Sequence, residues 1–274
     1  MKFLKKAFVR WLSNGRGGYT GSLATLVWCG LLVSAPRLWS ASPIFFQSTA
    51  AQTPLLELYV SEGCSSCPPA ETWLSHLTAD SKLWKDFVPV AFHVDYWDYL
   101  GWKDPFAAKA YSERQRVSAE QGRTRSVYTP GFVLNGKEWR GWFDDEKLPR
   151  GSGRIVGQVI ARSTNGTQWT LRFDPSDPGA SSLFDFHAAL LGFNLKSDVK
   201  AGENRGRKLE HDFVVLALAE VAAAKGAASY EGVLTLKSAL TVVPKRAAVA
   251  VWITPRNRLE PIQSLGGWLP GARE

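Results

Sequence analysis

The chain is 274 residues long, 45% hydrophobic and 21% charged, with a formal net charge of +8 at neutral pH. That composition excludes disordered and collagen-like chains, and the length leaves room for two ordinary domains. The positive charge does not argue for a nucleic-acid partner. Residues 1–52 hold six basic side chains and no acid, 53–163 fourteen of each, and 164–274 thirteen bases against eleven acids. Most of the excess therefore sits in a leader.

That leader has the parts of an export signal. Lys2, Lys5, Lys6, Arg10 and Arg16 make a basic n-region, and Ser22 to Ala35 is an apolar h-region too short to span a bilayer comfortably. Small residues at Ser48 and Ala50, or at Thr49 and Ala51, offer a cleavage site. Pro36, Arg37 and Ile44-Phe45-Phe46 stretch the c-region, so an uncleaved N-terminal anchor is the competing reading. Both export the remainder of the chain: periplasmic or secreted, touching a membrane only through this segment. Cys29 lies inside the h-region, which leaves Cys64 and Cys67 in a compartment where disulfides form and persist.

Leu55-Leu56-Glu57-Leu58-Tyr59-Val60 reads as a buried strand, and Ala70, Trp73, Leu74 and Leu77 recur at helical spacing. Between them Cys64-Ser65-Ser66-Cys67 stands where a strand hands over to a helix, an environment that lowers a cysteine pKa. Pro68 and Pro69 follow directly and remove two backbone donors. They predict either a helix that begins at Pro68 or a separate turn over Cys64–Cys67, and in both cases weaker support for a Cys64 thiolate.

Val88 to Val94 is a second apolar strand, followed by the aromatic and acidic run Asp95-Tyr96-Trp97-Asp98-Tyr99-Leu100-Gly101-Trp102. Asp104-Pro105 has the capping chemistry of a helix running to about Gln121, with Gly122 as its stop. Asn135-Gly136 between two strand-like runs predicts a type I′ hairpin. Ile155, Val156, Val159 and Ile160 suggest a closing helix. Residues 53–163 thus describe an α/β domain, a sheet with helices on its faces, a helical insertion and a hairpin edge.

From 164 to 274 short branched and aromatic runs alternate with Pro, Gly, Asn and Asp clusters, which predicts an all-β, sandwich-like domain of six or seven strands. The loop from Lys200 to Lys208 reads as solvated or as a docking surface. Ala217 to Ala228 is Ala-rich enough for helix to compete with strand.

Cys64-Ser65-Ser66-Cys67 after a strand, with Thr129-Pro130 just before a hairpin strand, resembles the thioredoxin-like superfamily. The stretches Glu57 to Glu71 and Phe92 to Asp98, with Tyr128-Thr129-Pro130 and Gly202-Glu203-Asn204, are similar to an exported bacterial family catalogued as a domain of unknown function (number 1223) with that fold. The resemblance implies that Pro130 is a cis-proline, Thr129 the substrate-facing residue before it, Cys64 the attacking thiol and Cys67 the resolving one. Two departures from thioredoxin stand out: Gly63 where thioredoxins carry Trp, and Ser-Ser between the cysteines.

Three readings of the thiols remain open: exchange through a Cys64–Cys67 disulfide with a protein or small thiol, a static disulfide, or Cu(I) delivery by Cys64 and Cys67 with His93 as third ligand. No cofactor is otherwise expected. Glu57 is a candidate proton relay to Cys67, and Asp95 ends the next strand near the same crevice. Trp97, Tyr99 and Trp102 are candidates for lining a substrate groove. His76, His187 and His211 carry no assigned role.

Overall fold

The computed structural model describes residues 43–144, 147–149, 151–177, 183–238 and 244–271. Its first half holds β1 (Ile44–Gln47), β2 (Leu55–Val60), α1 (Cys67–His76), β3 (Val88–His93), α2 (Lys109–Glu120), β4 (Gly131–Leu134) and β5 (Lys137–Glu138). The second half is all strand: β6 (Gly157–Ser163), β7 (Gln168–Pro175), β8 (Phe184–Phe193), β9 (Leu195–Asp198), β10 (Lys208–His211) and β11 (Val214–Ala222), then β12 (Ala224–Lys225), β13 (Tyr230–Thr235), β14 (Arg246–Pro255) and β15 (Gln263–Trp268). A mixed α/β region with few helices is thus followed by a larger β region. Among the described residues no helix is long and apolar enough to cross a membrane.

The two regions share a sheet. Eight strands run in the order β15-β14-β8-β11-β3-β2-β4-β5. β2 and β3 are parallel and buried along their whole length, which explains why both are mainly apolar, broken only by Glu57 in β2 and by His93 at the end of β3. The seam is β3 against β11, where Ala91 faces Val214 and the Ala91 N–H donates to Phe213 O at 2.9 Å. A second sheet, β1-β6-β7-β13-β12, covers one face of the C-terminal strands.

Alternation along the strands builds two cores. Phe186, Ala188, Val249, Val251 and Ile253 face Val159, Trp169, Leu171 and Phe173 of the smaller sheet. Ala189, Leu191, Phe193, Ala250 and Trp252 point the other way, into the core shared with β2, β3 and α1.

Several expectations change. The helix expected around Ile155–Ile160 is strand β6, whose buried positions alternate with period two. The boundary expected between 163 and 164 falls in the connection between β6 and β7, which are hydrogen-bonded neighbours. The Ala-rich stretch is strand too: β11 pairs along its length with β8, and that tertiary pairing overrides helix propensity. The second helix starts a turn late, because Asp104 turns inward instead of capping it. The hairpin stands as expected, with Asn135 and Gly136 at φ 49° and 77°.

Most of the leader expected over 1–52, with Cys29, lies outside the described residues. Residues 44–52, at its end, pack against the rest of the chain. β1 pairs with β6 from Ile44↔Ser163 to Gln47↔Ile160, Phe46 stacks on Trp169, and Gln263 Nε2 donates to Thr49 O and Ala51 O. Phe46 also needs the bare backbone of Gly267, where a Cβ would stand 2.1 Å from its ring. Cleavage near residue 50 would delete this edge strand. We expect Phe46→Ala to cost about 2 kcal/mol, and a chain beginning at residue 52 to unfold at lower urea than one beginning at 43. Equal urea midpoints would show that β1 contributes nothing.

Candidate functional site

The thiol pair lies between the end of β2 and the start of α1. The Cys64 N–H donates to Ser61 O (3.1 Å) and the Cys67 N–H to Cys64 O (3.2 Å), so the CxxC is a tight turn feeding a helix that begins at Cys67. Pro68 and Pro69 occupy the first turn, where a backbone N–H has no intrahelical acceptor to lose. The donors for Cys64 come from elsewhere. Its Sγ is 3.2 Å from Ser66 Oγ. Hydrogen bonding from the Cys67 thiol, then from the Ser66 hydroxyl, Thr129 and the Ser66 N–H, outweighs burial and brings Cys64 down to about 6. Burial pushes the Cys67 thiol well up, and the nearby Cys64 and Glu71 charges add to that.

The cis Thr129–Pro130 bond faces the pair, with Thr129 O 3.8 Å from Cys64 Sγ. Two side chains from the insertion hold this turn. The Trp97 indole N–H donates to Thr129 Oγ1 at 2.8 Å, and Gln115 Nε2 donates to Tyr128 O while its Oε1 accepts from Tyr96. Trp97 also explains Gly63: a Cβ there would stand 2.9 Å from Trp97 Cβ. A tryptophan thus covers the turn before Cys64, supplied from after β3.

Behind the thiols lies a buried cluster of acids and imidazoles. Glu71, one turn after Cys67, accepts from His211 Nδ1 at 2.7 Å. His211 Nε2 is 3.0 Å from Glu62 Oε1, whose Oε2 accepts from the Trp102 indole at 2.6 Å. His93 Nδ1 is 2.8 Å from Asp104 Oδ2, which also accepts the Glu62 N–H at 2.9 Å. Burial pushes the His211 imidazole down, and the Glu71 and Glu62 carboxylates reverse that and take it up to about 10.

The 199–207 loop closes over the turn. Asn204 is fully buried and its Nδ2 donates to both Glu62 O and Cys64 O at 2.9 Å. Glu203 Oε2 accepts from the Ser65 N–H and hydroxyl. The segment is solvated along Arg205 to Lys208, as expected, while Glu203 and Asn204 clamp it to the thiol turn.

The model of the family described as "Protein of unknown function (DUF1223)" matches residues 55–254, which takes in the thiol turn, Thr129–Pro130, the cluster and the clamp. The chain belongs to the DUF1223 family. No curated protein matches it. Among solved structures it is similar to a structural-genomics protein from Agrobacterium tumefaciens, at 24% identity and TM-score 0.54, covering 82% of this chain and 96% of that one. It is also similar to HBP35 of Porphyromonas gingivalis, at 14% identity and TM-score 0.57, covering 82% and 77%. At such identities the likeness is one of fold, the thioredoxin-like fold of DUF1223 proteins.

In this DUF1223 chain the structure gathers Cys64, Cys67, Thr129, Pro130 and Trp97 at one place. Trp102 is turned to Glu62, and Tyr99 is 79% exposed beside them in the chain. Glu57 is elsewhere: its carboxylate accepts from Arg114 Nε (3.0 Å) and the Tyr59 hydroxyl (2.8 Å), under a guanidinium stacked on Phe92 and Trp252. The acid beside Cys67 is Glu71. Asp95 bonds Ser112 at α2. His93 does not join the thiols, because the one group of three or more such ligand atoms within 4.8 Å among the described residues is Glu71, His93 and His211.

Glu71 was legible, lying four residues after Cys67 on the helix face that buries Leu74. Its partner His211 is 140 positions away and carries no local signal. We expect Glu57→Gln to destabilise the fold by about 3 kcal/mol or more, as a broken buried ion pair does, while Cys64 titrates unchanged. A shifted Cys64 titration would restore Glu57 to the site. Asn204→Ala should lower the unfolding free energy by about 1–3 kcal/mol, measured in urea, and speed alkylation of Cys64. Unaltered stability and alkylation would mean that the loop clamps nothing.

Proposed function

We propose that this is an exported protein that exchanges disulfides with an envelope protein or a small thiol through Cys64 and Cys67. The observation that carries this reading is the asymmetry of the pair: Cys64 is lowered to about 6 while burial holds Cys67 up. Such a Cys64 is roughly nine-tenths thiolate at pH 7, and its neighbour is a thiol that waits.

With a substrate disulfide, the Cys64 thiolate attacks one sulfur, the substrate S–S bond breaks and a substrate thiolate departs. Cys67 gives its proton to that departing sulfur and attacks Cys64 Sγ. The Cys64–Cys67 disulfide closes and the second substrate sulfur leaves as a thiolate. The pair loses two electrons and the substrate gains them; the reverse sequence oxidises a dithiol. Thr129 O lies beside the attacking sulfur and aligns the substrate backbone, with Pro130 fixing that carbonyl. Trp97 and exposed Tyr99 offer apolar surface to the substrate. Trp102, bonded to Glu62, serves the buried cluster. The basic leader and its h-region support export.

Holding Cys64 as thiolate stabilises the dithiol form, which makes the disulfide the better oxidant. A pKa of about 6 is below the roughly 7 of thioredoxin, so the midpoint potential should be less reducing than about −270 mV. Because Cys64 is only 1% exposed, substrate entry requires the covering side chains to part.

Two measurements test this. Alkylation of Cys64, followed by mass spectrometry, should be half-maximal near pH 6 and fall about tenfold per unit below it, since the thiolate is the nucleophile. In glutathione buffers the pair should titrate as a two-electron couple, and Cys67→Ser should accumulate mixed disulfides on Cys64. A disulfide that resists reduction below about −300 mV would identify a static bridge and overturn the proposal.

A further inference from the structure

Five ionisable side chains from separate elements meet behind the thiols, and thiol exchange uses none of them. The end of β3 contributes His93, the end of β10 His211, α1 Glu71, the turn after β2 Glu62, and the insertion Asp104. His93 and His211 are buried. The Nε2 of His93 has no hydrogen-bond partner and lies 3.7 Å from Glu71 Oε1. The Nδ1 of His211 approaches the same oxygen at 2.7 Å. Both rings are edge-on to Phe106, at 5.4 and 5.6 Å.

We propose that Glu71 Oε1, His93 Nε2 and His211 Nδ1 bind one divalent transition-metal ion of the zinc type. One ligand atom from each of these three residues lies within 4.8 Å of the others. A tetrahedral ion about 2.1 Å from each ligand spaces its ligands by about 3.4 Å, between the two separations found here. Occupancy therefore asks His211 to move back from Glu71 and His93 to move in, each by less than an ångström or so on that geometry.

Three features point to a metal rather than to a salt bridge alone. A fully buried imidazole nitrogen left without a partner is costly, and here it is aimed at the centre of the cluster. Each histidine gives its far nitrogen to a carboxylate, His93 to Asp104 at 2.8 Å and His211 to Glu62 at 3.0 Å. That outer carboxylate fixes the tautomer and aims the near nitrogen, as metal-bound histidines require. Finally, three carboxylates meet two imidazoles, so the site is negative in every protonation state of the histidines, and a dication offsets that charge. Two nitrogens and one oxygen without a thiolate suit Zn2+ and its neighbours and disfavour Cu(I).

The purified full-length protein, reduced and stripped with a chelator, is titrated with Zn2+ by calorimetry and with Co2+ by visible absorption. We expect one equivalent to bind, with a Co2+ spectrum that lacks thiolate-to-metal charge transfer. Cys64→Ser/Cys67→Ser should bind as tightly as the parent, whereas Glu71→Gln and His211→Gln should lose the ion. Glu62→Gln leaves all three ligands and should weaken binding by about 10–100-fold. No saturable binding by the parent, binding that disappears with the cysteines, or a thiolate-dominated Co2+ spectrum overturns the proposal. The parent spectrum decides the ligand type even where a ligand variant fails to fold, and none of these readouts depends on disulfide exchange.

Discussion

The contact on which this site depends is the one between Glu71 and His211. Glu71 rides on the thiol-bearing helix, fully inside the protein, and a buried carboxylate is tolerable only when paired and hydrogen-bonded. Its partner comes from the end of β10, on the far side of the chain's midpoint. Burial alone would push the Glu71 carboxyl up, and the facing His211 brings it below its usual value instead. The thioredoxin-like region therefore cannot complete its own interior: α1 presents a charge that the β region must answer. The backbone seam of β3 on β11 and the side-chain clamp of Asn204 on the Cys64 carbonyl tie the same two regions together.

The two thiols shift in opposite directions because their surroundings differ within a single turn. Cys64 sits beside the cis turn, with the Ser66 hydroxyl and the Cys67 thiol as donors and the Thr129 carbonyl opposite. Cys67 points inward, against apolar side chains and toward the negative end of the cluster. The prolines that follow do not interfere, since the positions they fill would leave N–H groups unused in any helix. Tryptophan over the turn is likewise a matter of which segment supplies it. Gly63 gives up its side chain so that Trp97 can bridge the turn and Thr129.

What could be seen in the sequence follows the range of the interactions involved. The thiol turn, the Thr-Pro turn and the Asn135-Gly136 hairpin depend on neighbours in the chain, and their chemistry is local. The strands β2, β3, β8 and β14 announce themselves by apolar runs. β6 reads as a helix in the sequence and β11 as either, because a short apolar or Ala-rich run suits helix and strand alike, and sheet pairing decides it. Glu57 illustrates the reverse error. Nearness in sequence to Cys64 suggested a role, but strand alternation sends it to Arg114 and Trp252 on the other face. His211 and Asn204 reach Glu62 and the thiol turn through contacts spanning some 140 positions, which no local pattern encodes.

Buried ionic clusters are poor sources of stability, since the cost of desolvating each charge offsets most of the attraction regained. A purely apolar interior would hold α1 against β10 as well or better. What charges add is selectivity of arrangement: each carboxylate accepts from one imidazole in one orientation, and a misplaced strand leaves a bare ion inside. Here that selectivity fixes the helix carrying Cys67 relative to three strand ends and to the turn carrying Cys64. The geometry of the thiol pair, and with it the difference between a lowered and a raised thiol, is thus set by groups that lie behind it.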